Sequence, residues 1–398
     1  MTATNTVQDY PFGAPVGLEL HPKYAQTRVA GPTRVRMPFG GEAWLVTRHH
    51  DARIVLSDSR FSRARTLGAD VPRTRQLVQY TRDIFIMDPP DHTRLRRLVA
   101  KAFTPRTVAV LEPSVSAMVD ELVTAMIDRG APSDLTESLA WPLPTRVVCE
   151  LMGVPVADQD LFRDWADKLL ALGDSGLAEI EQARTAIYAY LSELIARYRE
   201  HPADNLLSAL VAAQDEDDRL IEQEIVAFSV TLLVAGYETT ASQIGNFVYT
   251  LLTREELWDR LVEDPEVIPA AIEELLRYLP FAASADFARI ATEDIDLGGV
   301  RIPEGDAVIV LEAAANRDPA VFDRPEEIDF DRRTNPHLAF GYGVHQCIGA
   351  ALARLELRIV LETLARRLPR LRLAVPAENV EWRANRLVRS VRALPVSW

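Results

Sequence analysis

The sequence has few of the features that mark disulfide-rich, zinc-binding or nucleic-acid-binding proteins. Cysteine occurs only at Cys149 and Cys347, which excludes a disulfide framework and a zinc-finger type of cluster. The 44 basic residues are outnumbered by 58 acidic ones, and the net charge of −14 argues against nucleic acid as a partner. Lysine is rare, so any anion-binding site is expected to use arginine.

Long apolar runs and targeting signals are also missing. The longest apolar run, residues 225–236, is well below the roughly 20 residues that a membrane-spanning helix needs. The N-terminal segment lacks a basic stretch followed by an apolar one, so no signal peptide is predicted. We therefore expect a cytoplasmic protein with no membrane partner. With no repeat or linker, residues 19–398 are expected to form one domain behind a flexible arm of residues 1–18.

Hydrophobic spacing predicts a mainly α fold with small β regions, of the α+β class. Apolar residues recur at helical spacing in residues 108–129, 144–152, 157–173, 178–199, 219–253, 266–278 and 349–367. A β-hairpin is predicted around Gly40 and Gly41, and further β structure in residues 293–313 and after residue 370.

The residues before Cys347 are unusually rich in glycine. Gly341 and Gly343 permit positive φ and a close approach of the backbone to a bulky group. A helix is predicted from Gly349, and a cysteine beside a helix N-terminus is favoured as a thiolate, which is a good axial ligand for haem iron. From these residues alone, a buried structural cysteine after a turn remains an alternative.

A Gly–Glu–Thr–Thr cluster interrupts the most apolar predicted helix. It lowers helix propensity and places the Glu238 carboxylate in an apolar segment. One interpretation is structural, with Thr239 bonded to the carbonyl four residues earlier and Glu238 reaching solvent. The other is a positioned hydroxyl and carboxylate that relay protons.

Two pairs of charged or polar residues share a helix face. Glu274 and Arg277 stand three apart, and His92 and Arg96 stand four apart. From the residues alone, the first could be a surface ion pair worth about 0–1 kcal/mol and the second a solvated basic helix.

The pattern Phe340-x-x-Gly343-x-His345-x-Cys347-x-Gly349 resembles the haem-ligand signature of the cytochrome P450 superfamily at every specified position. The clusters described above resemble further family segments, in order, across nearly the whole chain. The resemblance implies the P450 fold, with haem b between the long central helix and the helix after Cys347, and with the Cys347 thiolate on the iron.

The resemblance also implies roles for the matching residues. Glu238 and Thr239 would relay protons, and the small Ala235 and Gly236 would leave room for dioxygen. Glu274 and Arg277 would form a buried structural pair, with Arg332 or Arg333 as its third partner. The residues implied to contact haem are His92, Arg96, Arg289 and His345 at the propionates, and Ala235, Gly236, Phe340, Gly341 and Gly349 around the ring.

Substrate contacts are expected from two parts of the chain. Candidates that share the helix face of Thr239, or that precede the propionate arginine, are Thr231, Val234, Ala235, Ala285 and Phe287. Residues 64–86 and 160–200 stand where the family has its variable substrate loop and its lid. Any of these residues could instead belong to the core.

The implied function is that of a P450 monooxygenase, an oxidoreductase that activates O2 and oxidises a small organic molecule. The chain looks like actinobacterial members that tailor secondary metabolites by hydroxylation or epoxidation. With no Rossmann motif present, electrons would come from NAD(P)H through a separate ferredoxin and ferredoxin reductase. We expect a monomer, with Arg94, Arg97, Arg354 or Arg358 as ferredoxin-docking residues.

Two alternatives remain open from the sequence. The enzyme could catalyse oxidative C–C or C–N coupling, for example of an aromatic cyclic dipeptide. The protein could instead be a non-catalytic haem sensor or scaffold.

Overall fold

Helices carry most of the chain, and short strands form small sheets. The predicted mainly helical fold is therefore confirmed. The predicted substrate residue Ala285 and parts of the segments 64–86 and 160–200 lie outside the described residues. The computed structural model describes residues 7–13, 17–74, 82–169, 176–217, 221–282, 287–384, 386 and 388–398.

The elements have the following bounds. The helices are α1 (Lys23–Ala30), α2 (His49–Ser57), α3 (Asp91–Ala100), α4 (Pro105–Val110), α5 (Glu112–Arg129), α6 (Pro142–Met152), α7 (Gln159–Leu169), α8 (Leu177–Glu200), α9 (Leu206–Asp217), α10 (Glu222–Leu252), α11 (Glu255–Glu263), α12 (Ile268–Tyr278), α13 (Glu312–Ala315) and α14 (Ala350–Arg367). The strands are β1 (Gln8–Asp9), β2 (Thr33–Arg36), β3 (Glu42–Val46), β4 (Phe61–Ser62), β5 (Ser133–Asp134), β6 (Arg289–Ala291), β7 (Ile295–Leu297), β8 (Val300–Ile302), β9 (Ala307–Val310), β10 (Arg372–Leu373) and β11 (Pro395–Ser397).

Helical periodicity located the long helices correctly. Each predicted helical segment overlaps one of α5, α6, α7, α8, α10, α12 or α14. Apart from α3, the shorter helices were missed. In α2, for example, five of nine residues are buried, including His49 and Asp51, so burial does not follow polarity and the spacing carries little signal.

Contacts group the chain into two compact units, and neither is a continuous piece of sequence. The first unit contains residues 1–93 and 273–347, and the second contains residues 94–272 and 348–398.

The first unit is built on a six-stranded sheet with the order β1-β2-β3-β9-β6-β4. The predicted hairpin around Gly40 and Gly41 is β2 and β3, which pair antiparallel. β3 then pairs in parallel with β9, and Leu45 and Ile309 lie opposite each other at full burial in the core. The predicted β segment of residues 293–313 forms β7, β8 and β9.

Part of the N-terminal arm is folded onto this sheet. β1 pairs in parallel with β2, and Tyr10 is only 3% exposed. The rings of Tyr10 and Phe12 pack against Tyr24, with centroid distances of 6.5 and 5.1 Å. Within the arm of residues 1–18, aromatic burial therefore packs residues 8–12 against the rest of the unit.

The second unit is helical around α10. This helix packs against α6, α7, α8 and α14, and residues such as Phe247, Val248 and Leu251 are completely buried. Acidic residues in its first turn, Glu222 and Glu224, complement the helix dipole. A small sheet of β10, β11 and β5 completes the unit.

α10 is much longer than the apolar run of residues 225–236 that lies within it. Among the described helices, only α10, with 31 residues, is long and apolar enough to cross a membrane. Its most apolar window is 72% buried inside the protein. This is the behaviour of a core helix in a soluble protein.

Candidate active site

The first unit presents Cys347 at the end of a closed loop. The Cys347 amide donates to the Phe340 carbonyl at 2.8 Å, and the Gly341 amide donates to the Leu338 carbonyl at 2.8 Å. Gly341 and Gly343 have φ values of +69° and +74°, which an L side chain adopts only with strain. The thiol is exposed, and α14 begins three residues later, with Gly349 as its N-cap residue. The predicted glycine turn before a helix is therefore present.

The two glycines of the loop have different surroundings. A Cβ at Gly343 would lie 2.6 Å from the Leu56 carbonyl oxygen and 2.8 Å from the Ser57 Cα, at the end of α2. A Cβ at Gly341 would meet nothing nearer than 3.9 Å. Gly343 therefore allows α2 to pack against the loop, while Gly341 leaves open space beside the Cys347 segment.

Two of the residues predicted to bind propionates lie together. The rings of His92 and His345 have centroids 4.3 Å apart, and His92 is 1% exposed. Arg96 lies one turn after His92 on α3, so the predicted shared helix is confirmed. Paired imidazoles supply N–H donors for a carboxylate.

Arg289 is a third cationic donor in the first unit. Its side chain is 4% exposed, and its Nη2 has no hydrogen-bond partner among the described residues. Burial, and after it the nearby charge of Arg63, lowers the pKa of Arg289 to about 9. A buried guanidinium with an unmet N–H needs an anionic partner. The exposed thiol and these cationic donors fit a haem, which brings an iron and two carboxylates.

On α10, the predicted substrate and oxygen residues share one face. Thr231, Val234, Ala235, Gly236 and Thr239 are partly exposed, whereas most of the residues between them are buried. Their spacing of three to four residues places them on one stripe of the helix. A Cβ at Gly236 would meet Val148 Cγ2 at 3.0 Å, so the absence of a side chain there also lets α6 pack closely.

Both interpretations of the Gly–Glu–Thr–Thr cluster are met in part. The Thr239 hydroxyl donates to the Ala235 carbonyl, as in the structural interpretation. Glu238, however, is completely buried and does not reach solvent. Its Oε1 lies 3.9 Å from Nη1 of Arg386. Arg386 could not be found from the sequence, because no pattern near it in the chain indicates that it lies close to Glu238 on α10.

Glu274 and Arg277 form a buried bidentate pair, with distances of 2.9 and 2.7 Å. The third partner is Arg332, whose Nε donates to Glu274 Oε2 at 2.9 Å. Arg277 also donates to the carbonyls of Pro325 and Glu327. The triad therefore holds the irregular segment before the Cys347 loop and has a structural role.

A buried acid on α14 was also missed. Glu356 is 3% exposed, and one of its carboxyl oxygens has no hydrogen-bond partner within the described ranges. Burial raises the pKa of Glu356 to about 8. A signal was available, because Glu356 stands four residues after Leu352 and three before Ile359, on the apolar face of the helix.

The substrate candidate Phe287 lies beside a second exposed ring. Phe287 is 52% exposed and Phe85 is 38% exposed, and their ring centroids are 6.2 Å apart. Phe85 belongs to the segment predicted as the variable substrate loop. Two adjacent exposed aromatic rings form a surface suited to an apolar or aromatic group.

Comparison with known proteins decides the family. The profile of the family Cytochrome P450 matches residues 169–386. Nocardicin C N-oxygenase of Nocardia uniformis subsp. tsuyamanensis is 49% identical over 400 residues, covering 100% of both chains. The chain belongs to the cytochrome P450 family.

Other relatives of this P450 agree in fold and enzyme class. Mycinamicin IV hydroxylase/epoxidase of Micromonospora griseorubida is 47% identical and covers 98% of both chains. The crystal structure of HinD with NMFT and NO superposes with a TM-score of 0.95 at 46% identity, over 99% of this P450 and 100% of HinD. The predicted P450 fold is confirmed, and this P450 is an oxidoreductase of the monooxygenase type. Membership implies a haem cofactor, a small-molecule substrate and electron supply from redox partners.

Proposed function

We propose that this P450 binds haem b through Cys347 and oxidises a secondary metabolite by hydroxylation or epoxidation. The observation that carries the proposal is the closed loop that exposes the Cys347 thiol in the unit that also holds His92, His345 and Arg289. The relatives named as a nocardicin C N-oxygenase and a mycinamicin IV hydroxylase/epoxidase support this class of reaction.

In this proposal, each residue predicted to contact the cofactor has a distinct task. The Cys347 thiolate would hold the haem iron, and the haem would supply the chemistry of O2 activation. His92, Arg96, Arg289 and His345 donate to the propionates. The residues proposed to contact the ring are Ala235, Gly236, Phe340, Gly341 and Gly349.

Glu238 and Thr239 are proposed to deliver protons. The Thr239 hydroxyl donates to the Ala235 carbonyl, and rotation about its χ1 redirects that O–H away from the helix. The buried Glu238 carboxyl group is adjacent in sequence and replaces the proton that Thr239 passes on. Arg386 holds the charge of Glu238 when that group is ionised.

Substrate contacts are proposed for each unit by itself. In the second unit, the exposed stripe of α10 contributes Thr231, Val234 and Ala235. In the first unit, Phe287 contributes, supported by Phe85. Both sets of side chains are suited to a largely apolar small molecule, which they would desolvate.

Electrons are proposed to come from NAD(P)H through a ferredoxin reductase and a ferredoxin, in the cytoplasm, to a monomeric P450. Of the predicted docking residues, Arg94 is paired with Glu224, and Arg358 lies 2.8 Å from Glu112. Arg97 is exposed and is the strongest docking candidate. An acidic ferredoxin would be steered to this cation despite the net charge of −14.

The test is the spectrum of the reduced, CO-bound protein. Wild type should show the red-shifted Soret band of thiolate-bound haem, and Cys347→Ala should lack it. Cys149→Ala is the matched control, because burial raises the pKa of the Cys149 thiol to about 12 and keeps it protonated. A normal thiolate band in Cys347→Ala contradicts the proposal. Product masses then separate a gain of one oxygen from the loss of hydrogens that coupling requires.

A further inference from the structure

Two arginines lie close together where neighbouring strands of the first unit meet. β4 and β6 pair antiparallel, with Phe61 opposite Ala291 and Ser62 opposite Ile290. Arg63 follows β4 directly, where the chain leaves the strand with φ −85° and ψ −34°, and Arg289 is the first residue of β6. The two side chains are near enough for the charge of Arg63 to lower the pKa of Arg289, which is the repulsion expected of like charges.

Three acids lie near Arg63, namely Asp83, Asp88 and Glu312. Asp88 accepts from the Ser62 hydroxyl at 2.5 Å and from the Arg63 amide at 2.9 Å, and Asp83 accepts from the Phe85 amide at 2.9 Å. Burial raises the pKa of Glu312. The carboxylates of Asp83 and Asp88 are therefore engaged by backbone amides.

Each arginine also retains an unmet N–H. Arg63 Nη1 donates to the Phe85 carbonyl at 3.1 Å, but Arg63 Nε is buried with no hydrogen-bond partner in the described part of the chain. Arg289 Nη2 is likewise buried with no hydrogen-bond partner among the described residues. Two unmet donors on neighbouring cations match the two oxygens of a carboxylate.

We propose that Arg63 and Arg289 together form a receptor for one carboxylate. Of the two, only Arg289 is among the residues predicted to bind a propionate. The carboxylate has two possible sources, a haem propionate or an acidic group of the substrate. The propionate source rests on the proposed function. The substrate source is compatible with the Phe287 ring, whose centre lies 5.4 Å from Arg63 Cζ.

The experiment compares the holoenzyme with Arg63→Met, Arg63→Lys and the control Arg65→Met. Arg65 is 49% exposed and lies 3.7 Å from Glu304, so it shares the segment but not the receptor. The first readouts are the rate of haem transfer to apomyoglobin and the reduction potential of the iron. Circular dichroism checks that each variant is folded. If Arg63→Met does not fold, Arg63→Lys is used in its place.

If the ligand is a propionate, Arg63→Met should lose haem about tenfold faster, because a charge-assisted pair of hydrogen bonds is gone. Its potential should fall, because a cation near the haem favours the reduced iron. Arg63→Lys should keep the potential of wild type, because lysine keeps the charge. It should still lose haem faster than wild type, because lysine lacks the paired N–H donors of a guanidinium group. A purely structural role for Arg63 would not separate the two readouts in this way.

If the ligand belongs to the substrate, haem loss should match wild type. Calorimetric titration with phenylacetate and phenylacetamide should then show about tenfold weaker binding of phenylacetate to Arg63→Met, with the amide unchanged. The receptor is disproved if haem loss and phenylacetate affinity stay within about twofold of wild type and Arg65→Met and the potential is unchanged. Failure of wild type to bind haem would instead disprove the proposed function, and the phenylacetate titration would still test the receptor.

Discussion

Glu238 combines complete burial with a cation 3.9 Å away on Arg386. A lone carboxylate without such a partner would be costly in this position, so Arg386 stabilises its ionised form. Thr239 meanwhile satisfies its hydroxyl on its own helix. The structural and the proton-relay interpretations of this cluster are therefore compatible. The bond to the Ala235 carbonyl positions the Thr239 hydroxyl, and the hydroxyl would break this bond when it relays a proton.

Glu356 is the clearest single-residue test of burial. Its pKa of about 8 in the folded protein exceeds the ordinary 4.5, so the folded state binds this proton more tightly than the unfolded state. Its contribution to stability is therefore complete below pH 4.5 and is lost as the pH rises towards 8. Glu356→Gln stays neutral, and we expect it to be more stable than wild type by roughly 3–5 kcal/mol at pH 8 and by only about 1 kcal/mol near pH 5.5.

Urea denaturation at the two pH values measures this difference. Glu362→Gln is the matched control, because Glu362 is on the same helix but 39% exposed and paired with Arg358. A gain that is equal at both pH values would show that Glu356 does not titrate as its burial indicates.

At the scale of elements, Gly343 couples the Cys347 loop to α2. Alanine at Gly341 or Gly343 incurs the cost of positive φ, about 1–2 kcal/mol. Only at Gly343 does the added Cβ also overlap the backbone of α2, at 2.6 Å from the Leu56 carbonyl oxygen. We expect Gly343→Ala to destabilise the protein by about 1–3 kcal/mol more than Gly341→Ala.

Thermal unfolding and the fraction of protein loaded with haem check this prediction. Gly341→Ala is itself the control, since it shares the loop and the backbone strain. Equal losses in the two variants would mean that α2 moves aside at little cost.

The triad of Glu274, Arg277 and Arg332 is a second test at this scale. Arg332 is 7% exposed in its side chain and Glu274 is 1% exposed. Arg332→Met removes one partner of a buried acid and should cost about 3–5 kcal/mol. Arg392→Met breaks a pair with Glu381 in which both side chains are about two-thirds exposed, and should cost about 0–1 kcal/mol. Equal free energies of unfolding for the two variants would contradict a structural role for Arg332.

These elements show what the sequence could predict. Local periodicity found α10 and α14, and two adjacent glycines marked the β2–β3 hairpin, because each signal lies within one stretch of chain. The Cys347 loop was found by its motif. Pairing between distant strands, such as β4 with β6, leaves no local signal, so Arg63 was missed. Arg386 was missed for the same reason.

At the scale of the whole molecule, the charge is −14, and arginine supplies almost all of the basic groups. Many arginines are engaged in ion pairs within the chain, such as Arg94 with Glu224. A redox partner would therefore respond to the few cations that remain exposed and not to the average charge.

Arg97 tests this view of partner docking. Charge reversal in Arg97→Glu should slow electron transfer from reduced ferredoxin by about tenfold at low salt, since steering of an acidic partner is lost. The deficit should shrink at high salt, because screening removes the attraction from wild type as well. Stopped-flow reduction by ferredoxin measures the effect, while reduction by dithionite should be unchanged and shows that the variant is folded. Arg372→Glu, at an exposed position of β10, controls for the change in net charge. If Arg97→Glu and Arg372→Glu accept electrons at the same rate in low salt, the docking surface does not include Arg97.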